Sequence, residues 1–498
     1  MAAASPEPSS YTETERKFEV VESTVTPSFE GLSSIARVER SPALELDAVY
    51  FDTPDHDLAR HRITLRRRTG GSDAGWHLKL PAGPDQRTEV RVPLEGDAGA
   101  QSLVPESLRD VVLAIVRDGP LMPIARIDTC RSVEMLYGPD GRTVAEFCDD
   151  QVTASTDGGD EQRWREWELE LAEGGVHDAF DRLTHRLLDA GALPARHGSK
   201  LARVLAASGS SATLPEVSAD PLHRAVADQV GVLLEWDRAV RSDVHDSVHQ
   251  MRVTTRKIRS LLQSSEGSFG LTDDAPILDD LRQLGGVLGV ARDAEVLAER
   301  YERALNDLPA ANVRGPVRER LVDDAKKRYQ TGWKRSLAAL RSPRYFRLLD
   351  ALEELVATDP PKLPAGEKPV QATIDAAYKK IRKAAKAAPG GAEINSDEAL
   401  HRIRKRAKRL RYTAAATGST KVAARAKTIQ TLLGHHQDSV VSRSHLSRQA
   451  GLAHAAGEDT FTYGLLYQQE DDLAQRCEDQ LDGALKKLNR AVRKSRRR

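Results

Sequence analysis

Polar and apolar positions alternate with period two through the first part of the chain. The stretches "YTETERKFEV", "LDAVYFDT", "HRITLRRR", "GWHLKLP", "QRTEVRVPL", "IARIDTCRSVEML", "RTVAEFCDD" and "WREWELELAEG" are short and are separated by Gly, Pro and Asp turns. This pattern predicts β-strands. Helical pieces are predicted near 27–39, 105–116 and 176–190. At about residue 207 the run "ASGSSATLPEVSADP" predicts a linker, and strand signals stop there. Ala/Leu/Arg/Glu/Lys-rich stretches with helical period follow, broken at "GSFGLTDDAP", "DLPAANVRGP", "TDPPKLPAGEKP" and "APGGAEINSD". They predict an all-α region of about ten helices. The end, "LKKLNRAVRKSRRR", reads as a basic tail.

Strand alternation places residues i, i+2 and i+4 on one face. One face of the first strand holds Glu13, Glu15, Lys17 and Glu19, against Phe18 and Val20 on the other. Arg62, Thr64, Arg66 and Arg68 share a face of the third strand, His77 and Lys79 of the fourth, and Arg87, Glu89 and Arg91 of the fifth. Glu166, Glu168 and Glu170 alternate with Trp167, Leu169 and Leu171 in the last. Any one such face could be solvated. Together they segregate into carboxylate-rich strands, first and last, and cation-rich strands between. That separation suits a closed barrel with a polar lumen, one wall holding a divalent metal and the others a polyanion. Hard cations such as Mg²⁺ or Mn²⁺ take carboxylate and phosphate oxygens, while Arg and Lys bind phosphate oxygens.

Bulk composition narrows the classes. The chain has 498 residues, 40% of them hydrophobic, which predicts two or three packed domains rather than disorder. No apolar run reaches the ~18–20 residues of a membrane span, and "MAAASPEPSS" lacks signal-peptide features. Cys130, Cys148 and Cys477 lie too far apart in sequence for a disulfide framework or a CxxC site. A cytoplasmic protein is expected. The formal net charge of zero conceals an asymmetry: roughly 24 Lys+Arg against 36 Asp+Glu through residue 210, and 50 against 38 beyond it. The second half should attract polyanions.

At "ETERK" the sequence resembles the CYTH, or triphosphate tunnel metalloenzyme, family. The resemblance continues in family order through "YFDT", "LRRR", "HLKL", "RTEV", Arg126 and Arg131, "DDQV", "WELEL" and "GSK". It implies an eight-stranded antiparallel β-barrel over residues 10–206, after a disordered tail at 1–9, in an α+β domain. It further implies metal at Glu13, Glu15, Glu168, Glu170 and Asp150, and a catalytic set of Glu13, Glu15 and Lys17. Phosphates would be bound by Lys17, Arg66, Arg68, Lys79, Arg87, Arg126, Arg131 and Lys200. Arg126 and Arg131 differ in parity, so both face inward only across a bulge. Asp149 competes with Asp150 for the family acid. His77 and Glu89 are read as interior spacers, and Asp52 as orienting a lumen Arg. Family activities include inorganic triphosphatase, thiamine triphosphatase and adenylyl cyclase. Metal-dependent hydrolysis of inorganic triphosphate or short polyphosphate is the favoured expectation, with a non-catalytic polyphosphate receptor as the alternative.

Beyond a linker at 207–219, two segments align without gaps: "VHQMRVTTRKIRSLL" from Val248 and "LHRIRKRAKRLRYTA" from Leu400. His249, Arg252, Arg256 and Arg259 run one residue behind an apolar stripe, as do His401, Arg404, Lys408 and Arg411. The following pieces align Gly289 with Gly434 and Asp293 with Asp438, and the aspartates are read as orienting arginines. A duplicated four-helix unit is predicted, at about 220–340 and 370–490, with a basic tail at 491–498. This region resembles the CHAD domain, a helical-bundle family associated with inorganic polyphosphate. The resemblance implies polyphosphate binding by those eight His, Arg and Lys residues, and association with polyphosphate granules. Nucleic acid is the competing polyanion, and the scarcity of aromatics on these faces argues against base stacking.

Overall fold

The structure, a computed structural model, describes residues 9–94, 103–156, 158–209, 220–264, 269, 271–272, 274–357, 370–386, 393–416 and 418–496. It divides into two units, Met1–Glu216 and Val217–Arg498. Most of the expected N-terminal tail and linker lies outside the described residues, but Ser9 already belongs to the first strand.

The first unit contains β1 (Ser9–Val20), β2 (Arg37–Arg40), β3 (Leu44–Asp52), β4 (Thr64–Thr69), β5 (Gly75–Gly83) and β6 (Gln86–Pro93). It continues with β7 (Met122–Tyr137), β8 (Thr143–Thr156), β9 (Gln162–Leu171) and β10 (Leu193–Pro194). Its helices are α1 (Asp57–Arg60), α2 (Glu106–Val111), α3 (Leu113–Val116), α4 (His177–Asp189) and α5 (Lys200–Ala207). Pairing runs β1-β6-β5-β4-β3-β7-β8-β9 and returns to β1, all antiparallel, which closes an eight-stranded barrel. The short β2 and β10 add to β7 and β1.

The apolar face of this barrel points outward. Leu65, Trp76, Leu78, Val90 and Val92 are buried beneath Leu108, Val112, Ile115 and Val116 of α2, α3 and the residue between them. On the other side Phe18, Phe147, Trp167 and Leu169 lie beneath Phe180, Leu183 and Leu187 of α4. Each fully buried side chain of this size contributes roughly 1.5–3 kcal/mol. The hydrophobic driving force is therefore satisfied outside the barrel, which leaves the lumen free to be polar. At one end the lumen face itself becomes apolar: Ala48, Tyr50, Ala125, Ile127, Val152 and Ala154 pack on Leu201, Val204 and Leu205 of α5.

The helix predicted over 27–39 is absent. Gly31 sits at φ 84°, which a right-handed helix cannot accept, and Arg37–Arg40 pairs with β7 as a strand. Phe29 and Ile35 reach the outer core from irregular chain.

The second unit is helical: α6 (Pro221–Arg241), α7 (Ser247–Ser264), α8 (Pro276–Asn306), α9 (Asp324–Leu340), α10 (Pro343–Ala357), α11 (Val370–Lys386), α12 (Glu393–Ala416), α13 (Thr420–Ala455) and α14 (Phe461–Ser495). Among the described residues, the α-helices α6–α9 precede α10, and α11–α14 follow it. The later four enclose Ile374, Ile381, Ile403, Leu410, Ile429, Leu433 and Leu488. Tyr301 and Leu305 of α8 share a second core with Leu446, Tyr463 and Leu466, which joins the two sets. The expected basic tail from 491 is instead helical to Ser495, with Val492 fully buried. The apolar stripe through Leu481, Leu488 and Val492 continues beneath the charges.

Candidate functional site

Because the apolar face of each strand is outside, alternation sends Glu13, Glu15 and Lys17 of β1 into the lumen. Register then fixes their neighbours. Glu15 lies opposite Glu170 and Lys17 opposite Glu168 across β1 and β9, and Glu13 lies opposite Arg87 across β1 and β6. Lys79 Nζ is 2.5 Å from Glu13 Oε1 and 3.9 Å from Glu15 Oε2. Arg87 Nε and Lys17 Nζ each approach Glu15 to 3.1 Å. Burial works to raise the Glu15 carboxyl, but Lys17, Lys79 and Arg87 together bring it down to about 2. Glu170 goes the other way: burial, with Glu13 and Glu146 nearby, pushes it up to about 7.

A second acid centre forms where β7, β8 and β9 adjoin. Arg131 donates two bonds to Asp150, at 2.8 and 2.7 Å, and one to Glu168 at 2.5 Å. Lys17 also pairs with Glu168. Lys200 Nζ lies 2.8 Å from Asp150, 2.8 Å from Glu166 and 2.7 Å from Glu168. Facing these acids is a cationic wall. Arg66 Nη1 donates to the Tyr50 hydroxyl at 3.3 Å. Arg68 pairs with Asp73, which Arg91 also contacts at 2.8 Å. Arg66 and Arg68 each keep a buried Nε–H with no acceptor. Burial, with Arg66 and Arg131 close by, pulls Arg68 down to about 9.

The structure thus brings together Glu13, Glu15, Lys17, Arg66, Arg68, Lys79, Arg87, Arg131, Asp150, Glu168, Glu170 and Lys200. It does not bring in Arg126. The register of β7 with β8 runs unbroken from Ala125 to Leu136, so no bulge rescues the parity. Arg126 is on the outer face, 59% exposed, paired with Asp47 at 2.6 Å. Asp150 is fully buried in the lumen, whereas Asp149 binds Arg165 outside at 2.6 Å. Arg62 sits at φ 58°, before β4 begins. Among the described residues Asp52 pairs with no arginine. Its carboxylate accepts from the backbone N–H groups of Thr53, Leu58 and Ala59 at 2.7, 2.9 and 2.9 Å, tying α1 to β3. His77 and Glu89 hydrogen-bond each other at 2.8 Å inside the barrel, and burial holds the imidazole down to about 4, so it is neutral.

Three further acids were given no site role from the sequence. Glu166 follows from the same parity as Glu168 and stands opposite Asp150. Glu146 stands opposite Glu170. Asp73 had no periodic signal; it lies on the β4–β5 loop, which Gly70 and Gly71 fold back at φ 81° and 73°. The donor set fits a hard divalent ion: Asp150, Glu166 and Glu168 each bring a carboxylate oxygen within 4.8 Å of the others.

In the second unit Val248, Met251, Thr255, Ile258 and Leu262 are buried along α7, and Leu400, Ile403, Ala407 and Leu410 along α12. His249, Arg252, Arg256 and Arg259 sit half-buried beside the first stripe, and His401, Arg404, Lys408 and Arg411 beside the second. The aligned glycines make room for the first arginines. A Cβ at Gly289 would lie 3.3 Å from Arg252 Nε, and one at Gly434 would lie 3.6 Å from Arg404 Nη2. Burial lowers Arg256, and so do Arg252, Arg404 and Arg259, so cations of the two repeats adjoin. Burial and neighbouring cations, Arg292 and Arg252 for His249 and Lys405 and Arg404 for His401, lower both imidazoles, and each keeps a buried Nδ1 without a partner. No direct ion pair of Asp293 or Asp438 with an arginine is found among the described residues; Glu470 pairs with Arg300, and Asp438 is near enough to favour the same guanidinium. A groove of about 650 Å³ between α13 and α14 is lined by Arg425, Lys427, His435 and Lys487, and by no carboxylate.

Among the described residues, no helix is long and apolar enough to cross a membrane. Residues 12–202 match the CYTH domain and residues 224–447 the CHAD domain. Two proteins of Mycobacterium tuberculosis, Uncharacterized protein MT2285 and Uncharacterized protein Rv2226, are each 61% identical over 516 residues, spanning 100% of this chain and of theirs. The CHAD domain from the plant Ricinus communis is similar at 24% identity, over 55% of this chain and 93% of that one, with a TM-score of 0.41. HpAC1 from Hippeastrum, with a dominant triphosphatase activity of its own, is 20% identical over 40% of this chain and 96% of that one, with a TM-score of 0.24. CYTH domains are metal-dependent, and their members are triphosphatases or cyclases. On the domain matches and the full-length relatives, this chain belongs to the family in which a CYTH triphosphate tunnel is followed by a CHAD domain.

Proposed function

We propose that the tunnel hydrolyses a terminal phosphoanhydride of inorganic triphosphate or short polyphosphate with Mg²⁺ or Mn²⁺, and that the helical domain binds inorganic polyphosphate. The observation that carries the first part is the pair of buried, acceptorless Nε–H donors on Arg66 and Arg68, set across the lumen from the carboxylates. Buried donors without partners cost about 1–3 kcal/mol each, and phosphate oxygens would satisfy them. Arg66, Arg68, Lys79, Arg87 and Arg131 would neutralise the phosphate chain and the charge that develops on it. Glu13, Glu15, Glu170, Asp150, Glu166 and Glu168 are the oxygen donors for the metal. When bound, it would supply further neutralisation and a polarised water.

The adjoining His/Arg/Lys faces of α7 and α12 support the second part. They are cationic, poor in aromatics and continuous between the repeats, which suits a linear polyanion without bases.

The test is phosphate release from tripolyphosphate with each metal, by the wild type and Glu15→Gln. Loss in the variant is expected, and unchanged turnover would sink the site assignment. Tight binding of tripolyphosphate without release would make the tunnel a receptor, and cyclic AMP with pyrophosphate from ATP would make it a cyclase. For the second domain, Arg252→Ala with Arg404→Ala should weaken polyphosphate binding; equal affinity would overturn that assignment.

A further inference from the structure

Lys200 is the first residue of α5, and Ser199 caps that helix by accepting from the Ala202 N–H at 3.1 Å. Its side chain is 7% exposed. The ammonium has three protons, and three carboxylates surround it at 2.7–2.8 Å: Asp150, Glu166 and Glu168. These are the same three carboxylates that each bring an oxygen within 4.8 Å of the others and suit a single cation. With Arg131 on Asp150 and Glu168, and Lys17 on Glu168, the ammonium completes a balanced cluster.

A hard divalent ion takes carboxylate oxygens at about 2.0–2.6 Å. An ammonium donating to Glu168 at 2.7 Å and ion-paired with Asp150 and Glu166 at 2.8 Å occupies the same space and repels the ion. The two cannot share the triad. Lys200 is also covalently continuous with Leu201, Val204 and Leu205, the side chains that stopper the apolar end of the lumen.

We propose that Lys200 is a tethered cation that holds the Asp150–Glu166–Glu168 triad until a divalent ion replaces it, so that metal entry and release of the first turn of α5 are one event. The displaced ammonium is then free to meet the incoming phosphate chain. Lys200 is thereby a positioning residue for metal as well as a phosphate ligand. This rests on the reading of the tunnel as a metal-dependent triphosphate site.

The experiment is Mn²⁺ titration of the full chain without any phosphate, followed by the electron paramagnetic resonance of free Mn²⁺. Lys200→Met should bind Mn²⁺ roughly tenfold tighter or better than wild type, and Lys200→Arg should show no gain. In the wild type, hydrogen exchange at the Leu201–Leu205 amides should quicken as Mn²⁺ saturates. Equal or weaker binding by Lys200→Met overturns the proposal. If that variant fails to fold, exchange in the wild type decides alone, and unchanged exchange at saturation overturns it. Tripolyphosphate turnover is measured in parallel. A wild type that turns over, with no Mn²⁺ gain in the variant, refutes the cation exchange and keeps the hydrolase. The Mn²⁺ gain without turnover does the reverse.

Discussion

Arg126 and Arg131 are five residues apart on one strand, and substituting each by Ala should have opposite consequences. Arg131 makes a bidentate pair with Asp150, at 2.8 and 2.7 Å, and a third bond to Glu168 at 2.5 Å, all inside the barrel. Asp150 is fully buried, so Arg131→Ala leaves a carboxylate that water cannot reach. Breaking a buried pair by removing one partner costs about 3–5 kcal/mol. Lys200 remains beside both acids, which places this case at the lower end of that range. Removing a preorganised donor from the phosphate path should also lower kcat by about 10²-fold or more. Arg126 is 59% exposed and pairs with a 39% exposed Asp47, a contact worth about 0–1 kcal/mol. Arg126→Ala should therefore keep wild-type turnover. The assay is urea unfolding of the full chain, followed by fluorescence, with tripolyphosphate hydrolysis at fixed Mn²⁺. Arg131→Lys, which keeps charge but loses the fork, should fall between wild type and Arg131→Ala. Equal damage from Arg126→Ala and Arg131→Ala would refute the inward and outward parity of β7.

Glu170, raised from the ordinary carboxyl value of 4.5 to about 7 by burial and then by Glu13 and Glu146, favours the folded state when protonated. Its contribution is complete below about pH 4.5 and is lost as pH rises through about 7, on the order of 3 kcal/mol in metal-free protein. Glu170→Gln should remove that loss, so urea midpoints of variant and wild type should diverge between pH 5 and 8; parallel curves would contradict it. His249 and His401 are held below the ordinary imidazole value by burial and neighbouring cations, and a bound polyanion would reverse the electrostatic part of that effect. Polyphosphate affinity should thus rise as pH falls from about 8 to 5.5 and weaken with salt. A double His→Gln variant at these positions should lose the pH slope and keep the salt slope.

Much of the tunnel was legible because a strand has only two faces. Once Phe18, Leu65, Leu78 and Trp167 claim one face, Glu13, Glu15, Arg66, Lys79 and Glu168 can only take the other. Arg126 was misplaced by family order and not by parity: both arginines could face inward only across a bulge, and the unbroken strand register has none between them. Asp73 was invisible because its position depends on a glycine turn rather than a period. Asp52 was misread because a carboxylate tied to three backbone N–H groups has no signature distinct from one facing an arginine. The helix predicted at 27–39 failed because Gly31 adopts a positive φ and Arg37–Arg40 pairs with β7 as a strand.

By itself, the sequence determined the two classes of secondary structure, the faces of the strands and the duplicated basic helices, because period and parity are local properties of the chain. Tertiary structure decided which charged groups meet. Asp150, Glu166, Glu168, Arg131 and Lys200 come from β7, β8, β9 and α5, and only closure of the barrel sets them 2.5–2.8 Å apart. Charge pairing falls off over a few ångströms, so partners are chosen by the fold and not by their distance along the chain.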